Sequence, residues 1–260
     1  MRKNFILITL LFLLINVLVG ANENLPTVNT SINSMNPTYD ESLKEYKIKS
    51  ENTDLFYNYI KKMIDEKGVA TAYTKLEKGE LIASDENNNI IFIEKLPENI
   101  SEKTTYFESK QVYQLKNGKM LVNTNYILDS DGEKTKILSE TLLKKNITGK
   151  NIFGIIDLMG DLSISLEKTF ANVETYKSDI YDENDELIFS ATYKNRKLEA
   201  ESEVDGTFMK MTYMFEDNNF NKGTVNLYID HKLFATVKVK DSLQDGEMKI
   251  FYPTGKVMGT

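Results

Sequence analysis

The chain has 260 residues, no cysteine, one histidine and a formal net charge of -7. The missing thiols exclude a disulfide framework, a thiolate metal site and a lipid-modified cysteine, and a single histidine excludes a His-rich metal site. The acidic balance argues against nucleic acid or an anionic membrane as the main partner, because both need a clustered positive field.

Residues 1–21 have the three parts of a secretory signal peptide: basic Arg2 and Lys3, an apolar run from Phe5 to Val19, and small Gly20 and Ala21 at the exit. The run is about 15 residues, short of the roughly 20 that span a bilayer. Without Arg2 and Lys3 the mature chain keeps 30 basic against 39 acidic side chains, or -9. The expected product is exported, periplasmic or secreted, not a lipoprotein, and has no transmembrane segment after cleavage. Residues 22–50 are rich in Asn, Thr, Ser and Glu and hold Pro26 and Pro37, which reads as a disordered linker.

Residues 51–150 read as one helix followed by β-hairpins. Asn52 or Thr53 suits an N-cap, Phe56, Ile60, Met63 and Ile64 recur at helical spacing, and Gly68 supplies the stop. Strands are predicted at Val69–Thr74, Leu81–Ser84, Asn89–Glu94, Thr104–Glu108, Gln111–Leu115, Met120–Leu128 and Lys134–Leu138. Asn117-Gly118 and Asp131-Gly132 are hairpin turns, since both residue types adopt positive φ at low cost.

Residues 151–175 form a connection whose pattern fits helix, linker or strand alike: Ile152–Met159 is apolar, and Leu162, Leu166 and Phe170 share a helical spacing. Strand signals then return at Tyr176–Tyr181, Leu187–Tyr193, Lys197–Val204, Thr207–Phe215, Thr224–Ile229, Leu233–Val239 and Met248–Tyr252. Such spacing leaves no room for crossover helices, so pairing is antiparallel. The expected fold is mainly β, a hairpin meander in an extended, repeat-like sheet with one N-terminal helix.

Internal similarity lies in residues 176–260. Tyr228-Ile229-Asp230-His231-Lys232-Leu233 lines up with Tyr252-Pro253-Thr254-Gly255-Lys256-Val257, and Gly223 precedes Gly246 by nearly the same interval. Tyr193 to Leu198 is a third copy, and Tyr181 to Leu187 and Tyr113 to Met120, with Gly118, are looser ones. Gly246-Glu247-Met248-Lys249-Ile250-Phe251-Tyr252 followed by Gly255-Lys256-Val257 resembles the MORN-variant repeat of bacterial proteins often labelled YwqK-type antitoxin components. The resemblance is good over Asp245–Gly259 and partial over 223–259, with His231 and Arg196 standing where turn glycines are expected. It implies serial hairpins whose recurring positions, here Gly118, Gly223, Tyr228, Gly246, Tyr252 and Gly255, are turn glycines and packing aromatics. It implies no catalytic residue.

The chemical inventory is thin. His231 sits at an expected turn and has no triad motif around it. The acidic runs at Asp129–Glu133, Asp182–Glu186 and Glu216–Asn219 read as acidic hairpin turns, and none completes an EF-hand loop. No phosphate-binding glycine loop is present. Tyr and Phe total 27, enough for cross-strand pairs and an exposed aromatic strip. The expectation is a non-catalytic, repeat-type module of the cell envelope that binds another envelope or secreted protein, without cofactor. The alternatives are a periplasmic carrier of an apolar ligand and a carboxylate-based hydrolase.

Overall fold

The computed structural model describes residues 49–95, 106–130, 133–144, 173–204, 206–216, 222–240 and 243–259. Its single described helix, α1, spans Ser50–Lys67. The strands that follow are β1 Val69–Glu77, β2 Glu80–Asp85, β3 Ile90–Lys95, β4 Tyr106–Lys116, β5 Lys119–Ser130 and β6 Glu133–Leu143. Beyond residue 172 come β7 Val173–Tyr181, β8 Leu187–Lys194, β9 Lys197–Val204, β10 Thr207–Phe215, β11 Lys222–Ile229, β12 Lys232–Lys240, β13 Leu243–Phe251 and β14 Val257–Gly259. They form one open, 14-stranded antiparallel sheet of order β14-β13-β12-β11-β10-β9-β8-β7-β6-β5-β4-β1-β2-β3.

The expected mainly-β meander with one helix is the observed fold. Strands predicted separately at Thr104–Glu108 and Gln111–Leu115 are one strand, β4, because Ser109 and Gln111 keep the period-2 alternation and are buried. β6 and β7 are paired neighbours, so one sheet runs through both halves of the sequence. The connection expected at 151–175 lies outside the described residues apart from Val173–Thr175, which begin β7, and so do the signal peptide, the 22–48 part of the linker and Asp131-Gly132.

Period-2 alternation puts one side chain in two on a buried face. Across the sheet, Tyr113, Val122, Thr141, Tyr176, Tyr193, Leu198, Tyr213, Val225 and Val237 follow one another as cross-strand partners. All but the partly buried Tyr176 are buried, and the apolar ones belong to a core that continues into α1. Fully burying a residue such as Val237 or Phe215 contributes about 1.5–3 kcal/mol. Smaller partners line the next row, Thr124, Ser139, Ser178, Ala191 and Ala200.

The helix packs on β1, β3 and β4. Phe56 meets Phe92 and Tyr113 edge-on, each at 6.3 Å. The cap expected from Asn52 or Thr53 is not made: the flanking residue is Lys49, which has no side-chain cap. Glu94 of β3 does that work instead. Its carboxylate accepts the Lys49 N–H at 3.1 and 3.2 Å and the Asn52 amide at 2.9 Å, placing a negative charge at the positive end of the helix. Gly68 ends α1 as expected, at φ 76° with its N–H donating to the Ile64 carbonyl at 2.9 Å.

Two hairpin designs recur. Lys78-Gly79, Asn117-Gly118, Asn195-Arg196 and Asp230-His231 are two-residue turns with positive φ at both positions. Asp85–Asn89, Asp182–Glu186 and Tyr252–Lys256 are five-residue loops with one shared pattern. In each, the first N–H donates to the fifth carbonyl and the fourth N–H to the first carbonyl, and the fourth residue (Asn88, Asp185 or Gly255) has positive φ. Each loop is followed by a one-residue bulge, at Ile91, Ile188 and Met258. The two hairpins aligned by sequence therefore differ in loop length. Tyr228, paired with Leu233, holds the place of Phe251, which pairs with Val257, and not that of Tyr252.

Gly223 is not a turn glycine: it lies buried within β11, opposite Phe215 and Val239. A Cβ there would collide with the Met214 carbonyl oxygen and lie 2.6 Å from the Tyr213 ring. We predict that Gly223→Ala lowers the unfolding free energy by about 1–3 kcal/mol in urea titration, the usual cost of overpacking. Arg196 carries the opposite problem, a side chain with a Cβ at φ 61°. Arg196→Gly should raise the thermal midpoint by relieving a left-handed strain of about 1 kcal/mol.

Candidate functional site

The face opposite the core between β8 and β13 combines rigid backbone with exposed apolar and charged side chains. Phe208 of β10 is locked to the β11–β12 turn: the Asp230 N–H donates to its carbonyl at 2.8 Å, and its own N–H donates to the Asp230 carboxylate at 3.2 Å. That places the His231 ring on the Phe208 ring, stacked at 4.1 Å and 22°. His231 is exposed and sits at the second turn position, as its sequence context indicates. Met214 of the same strand and Phe234 of β12 are exposed as well.

Ion pairs frame these groups. Lys210 lies 2.9 Å from Glu199 and 3.7 Å from Glu201, and Lys197 lies 3.0 Å from Glu199. The hydrogen bond from Lys210, then that from Lys197, holds the Glu199 carboxyl below its ordinary range, and the same Glu199 bond raises Lys210. An open depression of about 480 Å³ lies among Glu199, Phe208, Lys210, Met214, Tyr228 and His231. A second, of about 520 Å³, lies among Lys222, Gly223, Lys238, Gly246, Glu247 and Lys249.

The structure brings Gly223 and Gly246 to one depression and Tyr228 to the other. Gly246 has φ 108° where Asp245, Gly246 and Glu247 of β13 face the single Lys238 of β12, so it serves a bulge. Gly118 lies in the β4–β5 turn, while Tyr252 and Gly255 lie in the β13–β14 loop. Sequence reasoning missed Phe208, Met214 and Lys210. Their only signal was the alternation Phe208-Lys210-Thr212-Met214 on the side of the strand opposite Met211, Tyr213 and Phe215.

The buried face holds a polar line that was equally unforeseen. Thr74 and Ser109 hydroxyls lie 2.6 Å apart, the Gln111 amide donates to Ser109 at 3.2 Å, and the Tyr113 hydroxyl donates to Gln111 at 2.5 Å. Burial pushes Tyr113, Tyr176 and Tyr193 above the ordinary phenol range, so these hydroxyls act as neutral hydrogen-bonding groups. In the Asp182–Glu186 loop one Asp182 oxygen accepts the Asn184 and Glu186 N–H groups, each at 2.9 Å. Among the described residues no group of three or more His, Asp or Glu is placed to hold a metal ion, and no helix is long and apolar enough to cross a membrane.

No protein-family model, no curated protein and no solved structure matches this chain.

The Glu199 pairs give a pH signature. A lowered folded-state value means that the stabilisation is complete above the unfolded carboxyl value, 4.5, and is lost as pH falls through the folded value. Glu199→Gln should lower the thermal midpoint at neutral pH by the equivalent of at most about 1 kcal/mol. The gap from wild type should close in acid below the ordinary Glu range.

Proposed function

We propose that this chain is an exported, non-catalytic protein-interaction module that binds its partner through the outer face of β8–β13. The observation that carries this reading is the Phe208–His231 stack, held by turn hydrogen bonds beside Tyr228 and Met214 and framed by ion pairs. Such a composition, aromatic and Met at the centre with charges around them, is that of a protein-binding patch. The backbone beneath is paired strand to strand from β8 to β13, so binding costs little ordering. Kinship with the MORN-variant repeat belongs to the same proposal. Its support is the antiparallel pairing of sequence neighbours from β4 to β14, with Arg196 and His231 adopting the positive φ that glycine would take. Export rests on the pattern of residues 1–21.

The test is native mass spectrometry of the mature chain recovered from an envelope extract of its host, beside a variant carrying Phe208→Ala and Tyr228→Ala. We expect a stoichiometric protein adduct on the wild type, reduced about tenfold or more on the variant, since aromatic anchors typically carry about 2 kcal/mol or more. An adduct of equal abundance on both, or none on either, would reject the reading.

A further inference from the structure

The net negative charge of the chain conceals a basic rim. Lys116 and Lys119 face each other across the Asn117-Gly118 turn, Lys194 and Lys197 across Asn195-Arg196, and Lys222 and Lys240 across β11 and β12. Strand directions alternate through the meander, so all three pairs lie at the same end of the sheet. Register puts them on the same face. Gln114, Leu121, Leu142, Thr175, Lys194, Lys197, Met214, Thr224 and Lys238 are successive cross-strand partners along the outer side. Lys116 and Lys119 stand one alternation outward from that row at one end, and Lys222 and Lys240 at the other.

Directly opposed like charges destabilise a sheet, and nothing in the hairpins demands them, since Gln or Thr would pair there without cost. Some of this charge is answered within the chain: Lys119 by Glu174, Lys197 by Glu199 and Lys222 by Glu216. Lys116, Lys194, Lys238 and Lys240 make no ion pair with a described residue. At a strand spacing of about 4.8 Å, the three pairs are spread over about 35 Å. Acidic side chains occupy the opposite end at Asp182–Glu186 and Asp230, where the flanking Lys232 and the Lys136–Asp185 pair offset part of their charge.

We infer that this rim docks an acidic segment of a partner protein, with the carboxylates on Lys194, Lys238 and their neighbours and an apolar side chain against Met214. The inference rests on the proposed reading of the outer face as a protein-binding surface. Charge complementarity selects an anionic partner. The 44 % exposed Met214 in the middle of the lysine row, next to the depression where Lys222 and Lys249 are answered by Glu216 and Glu247 and Lys238 is not, selects a peptide over a purely ionic polymer.

The test measures fluorescence anisotropy of a labelled peptide of alternating Glu and Leu added to the mature chain. Its comparators are the matching Lys/Leu peptide and vesicles of phosphatidylglycerol. We expect the Glu/Leu peptide to bind, to weaken as salt is added, and to weaken about tenfold in a variant carrying Lys194→Gln and Lys238→Gln. Lys136→Gln, near the opposite end, should bind as wild type does. Equal binding by the double variant and wild type, equal binding of the two peptides, or binding of vesicles without peptide would overturn the inference. If the native-mass adduct survives Lys194→Gln/Lys238→Gln but not Phe208→Ala/Tyr228→Ala, the basic rim falls and the binding-face reading stands. If no adduct forms at all, that reading falls while peptide binding still reports on the rim.

Discussion

Everything in this molecule depends on the antiparallel backbone ladder, because an open sheet has no closure to hold its strands. Each strand satisfies its N–H and C=O groups only through its neighbours, from β3 to β14. A slip of one residue in any hairpin would exchange the core and outer faces of every side chain on that strand. Register is therefore where the sequence must be exact, and the turns set it. Among the described residues, four two-residue turns and three five-residue loops each accept positive φ at a defined position, with Gly, Asn or Asp at most of them.

Fixed register produces two unlike surfaces from one layer. The buried side runs as rows of aromatic and aliphatic partners beside a row of small ones, and its polar members are tied to one another from Thr74 to Tyr113. The outer side is less closely packed, with only a few buried members such as Leu121 and Thr212, and carries lysines, glutamates, threonines and a few aromatics. That freedom makes it the place where binding chemistry accumulates. The edges are handled differently: β14 is only Val257–Gly259 and β13 is bulged at Gly246, both of which blunt further strand addition. At the other edge, Glu94 ties β3 to the start of α1.

Gly223 and Gly246 show how one residue type serves two purposes in one depression. Gly246 supplies a positive φ that lets Asp245, Gly246 and Glu247 pass the single Lys238 of β12. Gly223 has an ordinary backbone and is needed because the Met214 carbonyl and the Tyr213 ring leave no room for a Cβ. Their spacing in sequence suggested a shared repeat position, yet their physical roles differ. Tyr228 and Tyr252 part in the same way, one on a strand and the other 48 % exposed in a loop.

The sequence by itself determined the class of fold, because alternation of period two and short turn clusters are local properties that any antiparallel neighbour will satisfy. It determined most strands closely, the Asn117-Gly118 turn and the Gly68 stop, since each follows from backbone preferences of the residues present. It placed His231 and Arg196 at turns for the same reason. Only the tertiary structure decided that Glu94, on a strand far along the chain, caps α1, that Gly223 is a packing glycine, and that Phe208 reaches the 230–231 turn. It alone gathered Lys116, Lys119, Lys194, Lys197, Lys222 and Lys240 onto one end of one face. Those outcomes depend on strand order and register over long separations, which no local pattern records: a lysine beside a turn looks the same in sequence whichever end of the sheet it joins.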